Sequence, residues 1–160
     1  MIVISDTSVL VNLAAIGQLE LLRKLYSGVI VPTKVMEEVR ATADKSAPNR
    51  QVASCEWIEV RAVNDLKLEE RIGANLDEGE AAAIALAIET RADFLLMDER
   101  RGRRVAEGEG LTVIGLLGVL VRAKSAGHIS AVRPVLDDLV TSTSFYMTDA
   151  LKAEVLSQAG

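Results

Sequence analysis

Asp6, Glu38, the pair Asp77 and Glu80, and the pair Asp98 and Glu99 are the residues of this chain whose type and placement could do chemistry. His128 is the single histidine and Cys55 the single cysteine, so there is no His/Cys zinc cluster and little to offer as a general base or nucleophile. Chemistry must then come from carboxylates. Four or more of them in one pocket repel one another, and burying them together is costly unless a cation compensates. Magnesium or manganese fits that need, because hard divalent cations take carboxylate and water oxygens and are completed by substrate phosphate. Such an ion activates water and stabilises the charge that develops in phosphodiester cleavage.

The acids matter only if the chain brings them together. Residues 2–4 form a short β-branched run read as a buried first strand, and Ser5-Asp6-Thr7-Ser8 follows as a turn and helix start. Helices are expected at 9–16 and 18–25, a second strand at 28–32, and a helix at 34–42 capped by Thr33. The polar stretch 43–54 reads as an exposed loop or frayed helix. A third strand is expected at 57–60, a charged, partly helical segment at 64–75, and an alanine-rich helix buried on nearly all sides at 76–90. The apolar strand 94–97 stops at Asp98-Glu99, a basic helix covers 100–108, and a fifth strand covers 111–114. Further helices are expected at 116–125, 130–140 and 148–157. Alternating strands and helices imply a mainly parallel five-stranded sheet covered on both faces, and such sheets bind ligands at the carboxyl ends of their strands. Asp6 and Asp98 both fall at such an end.

Each acid also has a purely structural reading. Asp77 has the position of a helix N-cap with Glu80 three residues on, so it is as much a cap as a site residue, and Glu80 is the preferred site member. Asp6 and Ser8 could cap the first helix and Asp98 the basic one, although that requires independent caps to fall by chance where a parallel sheet builds its site. Glu37 and Glu38 lie on a helix whose exposed face ordinarily carries glutamates. Arg100, Arg101, Arg103 and Arg104 are either a solvated face paired with Glu107 and Glu109 or, in one or two cases, contacts to phosphate beside a metal.

Bulk properties narrow the classes. The 160 residues, 49% hydrophobic, suffice for one domain spanning 1–160 with a continuous core. A net charge of -5 argues against chain-wide attraction to nucleic acid but suits a protein that collects acids around a cation. With no signal-peptide pattern or membrane-length apolar run, the expectation is a soluble, cytoplasmic protein. The absence of a glycine-rich phosphate loop speaks against a nucleotide-binding Rossmann enzyme.

Taken in order, the motifs resemble those of PIN domains. Ile2 to Leu10 around Asp6 resembles the first motif, Val31-Pro32 to Glu38-Val39 the second, Leu76 to Ala81 the third, and Leu96-Met97-Asp98-Glu99 with Gly102-Arg103 the fourth. The match spans nearly the whole chain and looks nearest to a prokaryotic PIN-like branch related to VapC-type toxins. The resemblance implies an α/β/α sandwich, a magnesium- or manganese-dependent ribonuclease, frequent homodimers, and in some members an antitoxin partner. It makes Asp6, Glu38, Glu80 and Asp98 the catalytic quartet, with Asp6, Asp98 and Glu80 on the metal and Ser8, Asp77, Glu99 and Arg103 in support. Two departures are visible: the third acid does not stand in the Asp-bearing helix motif of the toxins, and Glu99 stands where aspartate is common.

Two other readings compete with a nuclease. One is a non-catalytic PIN-like module that binds RNA or protein. The other is a phospho-acceptor domain, which would want a lysine after the fifth strand, where this chain has Gly115 and Leu116.

Overall fold

The computed structural model describes residues 1–159. Five parallel strands, β1 (Val3–Ser5), β2 (Val29–Pro32), β3 (Ile58–Arg61), β4 (Phe94–Leu96) and β5 (Val113–Ile114), form one sheet in the order β3-β2-β1-β4-β5. The chain winds outward from β1 through β2 to β3, then returns to the other side of β1 for β4 and β5. The reversal between β1 and β4 opens a crevice at their carboxyl ends.

The helices are α1 (Thr7–Ala15), α2 (Glu20–Tyr26), α3 (Thr33–Ala41), α4 (Ala47–Ala53), α5 (Leu66–Ile72), α6 (Glu78–Thr90), α7 (Arg100–Gly108), α8 (Leu116–Ser125), α9 (Arg133–Ser142) and α10 (Asp149–Ala159). Side chains alternate across each strand, so neighbouring residues enter different cores. Val3, Val29, Val31 and Leu96 join α1, α2, α3 and α8 on one side. Ile4, Leu95 and Met97 join α6 and Ala106 of α7 on the other. The result is a three-layer α/β/α sandwich. Every residue from Ala81 to Ala87 on α6 is buried, and the small side chains let this helix lie close against its neighbours.

Several local expectations are corrected. The stretch expected to be a loop or frayed helix contains α4, which is well anchored. Ser46 caps it, Pro48 occupies its first turn, and buried Asn49 donates to the Val39 carbonyl at 3.1 Å and to Thr42 Oγ1 at 2.9 Å. Polar composition misled because these polar groups are satisfied locally against α3. Thr33 does not cap α3; it is the first helical residue, after extended Pro32. The sheet is wholly parallel.

Candidate functional site

Asp6 directly follows β1 and is the N-cap of α1. Its Oδ1 accepts the Val9 amide at 3.3 Å, and the Ser8 hydroxyl lies 3.4 Å from both carboxylate oxygens. The Asp6 amide donates to the Leu96 carbonyl at 3.1 Å, which ties the end of β1 to β4 at the crevice. Only 4% of Asp6 is exposed. Burial pushes its pKa up to about 7, the Asp98 and Asp77 charges add to the rise, and the Val9 and Ser8 hydrogen bonds oppose it.

Asp98 lies two residues beyond β4. It does not cap α7, where Glu99 takes that place and accepts the Arg101 amide at 3.4 Å. Asp98 turns across the sheet instead, its Oδ1 accepting the Leu116 amide at 2.9 Å from the first turn of α8. Its Oδ2 is buried and has no hydrogen-bond partner among the described residues. Burial raises the Asp98 pKa, against the pull of the Leu116 amide and the Arg103 guanidinium.

Asp77 caps α6 and accepts the Glu80 amide at 2.8 Å, and it also lines the cleft, so the cap and site positions coincide. Glu80 is half-buried. Its pKa is pushed up to about 8, first by burial, then by a hydrogen bond and repulsion from Asp77, then by Glu99 and Asp6. Glu38, exposed on α3, accepts a short hydrogen bond from the Thr7 hydroxyl.

These residues share one cleft of about 290 Å³, lined by Asp6, Glu38, Asp77, Glu80, Asp98 and Glu99 together with Thr7, Ser8, Asn12 and Gly79. Neither lysine nor arginine lines it. Of the residues given a catalytic, metal or supporting role from the sequence, only Arg103 lies outside, in the adjoining depressions that share Asp98. The arginine cluster divides: Arg101 donates to the Asn75 carbonyl at 3.2 Å, and Arg100, Arg103 and Arg104 face the depression beside Asp98. Glu109, considered as their partner, pairs with Arg71 at 2.7 Å.

Sequence reading missed two features. Asn12 sits one helical turn beyond Ser8, so the spacing of four was the available signal. The second is what three glycines do: Gly79 and Gly102 stood in the motifs, but that they and Gly115 each make room at a carboxylate went unread. A Cβ on Gly79 would lie 2.8 Å from Glu38 Oε2, one on Gly102 would lie 2.6 Å from Met97 Sδ and 3.4 Å from Glu80 Oε2, and one on Gly115 would lie 2.7 Å from Asp98 Oδ1 and 2.5 Å from Arg103 Nη1. Gly115 occupies a helix N-cap, where a side-chain cap is usually preferred, and that was its visible signal.

The donor set suits a hard divalent cation. Its oxygens are carboxylates, three of its acids are held above their ordinary pKa, and Asp98 Oδ2 is a buried acceptor with nothing to accept. Among the described residues no three acids gather tightly enough to hold an ion by themselves. Magnesium commonly binds through one or two carboxylates with water and substrate completing its shell.

A parallel α/β sandwich with a carboxylate cleft at its switch point defines the class as an α/β domain with an acidic site at its strand ends. A family model for the PIN domain matches residues 2–160, and the chain belongs to that family. A search of curated proteins finds no match. PIN domains are generally nucleases that act on nucleic acid with divalent metals. Among the described residues no helix is long and apolar enough to cross a membrane.

Proposed function

We propose that this protein is a divalent-metal-dependent endoribonuclease working as one domain over residues 1–160. The observation that carries the reading is the gathering of six carboxylates in a cleft that, among the described residues, no lysine or arginine lines, with Asp98 Oδ2 left unpartnered. Asp6, Asp98 and Glu80 would supply the carboxylates for Mg2+ or Mn2+, one or two of them in direct contact and the rest through water. When bound, the ion supplies Lewis-acid charge to the phosphodiester and lowers the pKa of a water.

The chain's own groups prepare that chemistry. Glu80, its pKa raised to about 8 by burial and by Asp77, and Asp6, raised to about 7, must both be ionised to serve as ligands. Ser8 and the Val9 amide orient the Asp6 carboxylate, and the Leu116 amide orients that of Asp98. Glu38, steadied by Thr7, is an acceptor for the attacking water. Arg103, whose charge acts on Asp98 from outside the cleft, would meet the charge that develops on a bound phosphate. Asp77 and Glu99 support by holding the first turns of α6 and α7 in register.

Purified protein incubated with RNA should cleave it with magnesium or manganese and not in EDTA, and Asp6→Asn should abolish cleavage without loss of fold. Cleavage that survives this substitution overturns the reading. Binding of RNA with no cleavage under any divalent metal favours the non-catalytic module instead. The same reading extends to a cytoplasmic toxin, homodimeric and held by an antitoxin; a small adjoining reading frame whose product co-purifies with the protein and blocks cleavage is the expected finding.

A further inference from the structure

A second, larger groove of about 680 Å³ adjoins the carboxylate cleft, with Asp98 lining both. It runs between the start of α7, one side of α8, and α10, which packs against α8. Leu117, Val121 and Val155 supply apolar lining. Arg100, Arg103 and Arg122 supply guanidiniums against only Asp98 and Glu154, so the charge balance reverses from that of the cleft next door. None of the three forms an ion pair among the described residues. Arg122 is held in place over the Phe94 ring, 4.8 Å from its centroid.

Tyr146 completes the groove and is 82% exposed. The turn that presents it is pinned: Thr143 Oγ1 donates to the Leu139 carbonyl at 2.6 Å and accepts the Phe145 amide at 3.0 Å, and Phe145 packs inward on the core. An exposed aromatic on a fixed turn, beside guanidiniums and over apolar lining, matches the way unpaired bases are held. Bases stack on the ring while phosphates meet the cations. A duplex keeps its base faces stacked inside and so leaves both ring and lining unused.

We propose that this groove binds the single-stranded RNA segment flanking the cleaved phosphate, with Tyr146 as a stacking platform and Arg100 and Arg103 on the backbone. The proposal rests on the nuclease reading for its location beside the cleft, but its test is independent of cleavage. Asp6→Asn protein is titrated against a short fluorescein-labelled unstructured RNA and against a blunt RNA duplex, with anisotropy as the readout.

Adding Tyr146→Ala should weaken single-strand binding about tenfold, in line with the loss of one stacked base. Tyr146→Phe should bind like the parent, and the duplex should bind more weakly than the strand. At this exposure neither change threatens folding. Single-strand affinity untouched by Tyr146→Ala overturns the proposal even if the wild type cleaves RNA. So does sedimentation that shows a dimer dissociated by Tyr146→Ala with RNA affinity unchanged, because the groove then holds a second copy. Tyr146-dependent strand binding by a protein that cleaves nothing supports the groove and sinks the nuclease reading.

Discussion

The Glu38 carboxylate lies against the bare Cα of Gly79: a Cβ there would come within 2.8 Å of Oε2 and 3.0 Å of Oε1. The first turn of α6 can thus approach α3 closely enough for Glu38 to share the cleft. Gly79→Ala places a methyl in that space. Because Glu38 is exposed and can swing away, stability should hold or rise slightly, since alanine is the better helix former. Activity should fall, by up to about 100-fold if Glu38 orients the attacking group. Unchanged kcat/KM with an unchanged melting temperature would remove Glu38 from the reaction.

Asp6→Asn separates function from stability. The asparagine oxygen can still accept the Val9 amide, but the charge that burial opposes is gone. Without metal at about pH 8, the variant should melt above the wild type, and the gap should be smaller near pH 5, closing fully only below the unfolded Asp6 value of 3.8. Melting curves at the two pH values in EDTA measure both arms.

The pH dependence of the metal-free protein has a definite sign. Asp6 and Glu80 titrate at about 7 and about 8 when folded, against ordinary values of 3.8 and 4.5, so between those limits the native state holds more protons than the unfolded chain. Their contribution to stability is therefore greatest at acid pH. It declines as pH rises through the interval and levels off above the folded values. A divalent cation needs the ionised forms, so manganese should raise the melting temperature more at about pH 8 than at about pH 5.5, and its binding should release protons. Equal stabilisation at both pH values would count against Asp6 and Glu80 as ligands.

Asn49→Ala tests the fold away from the site. It leaves the buried Val39 carbonyl without its amide donor, while the exposed Thr42 hydroxyl can turn to water. The expected loss is about 1–3 kcal/mol in denaturant unfolding. Cleavage at a temperature where the variant remains folded should equal that of the wild type.

Much of the architecture was legible because its signals are local. The helices at Arg100–Gly108 and Leu116–Ser125 have the bounds their residues suggested, and the strands ending near Asp6 and Asp98 were visible as short apolar runs stopped by acids. Periodicity, caps and breakers act over a few residues, so a single chain displays them. The helix at Ala47–Ala53 escaped for the opposite reason: its polar residues are explained only by partners on α3. Resemblance, and not residue pattern, selected Glu38.

By itself the sequence marked most of the elements and left Asp6 and Asp98 at strand ends. Only the tertiary structure decided that β1 and β4 are neighbours, that Asp98 turns to the Leu116 amide, and that Gly79, Gly102 and Gly115 leave space where carboxylates lie. Those outcomes depend on contacts between residues far apart in the chain, where burial and steric fit, which no local pattern records, select the partner.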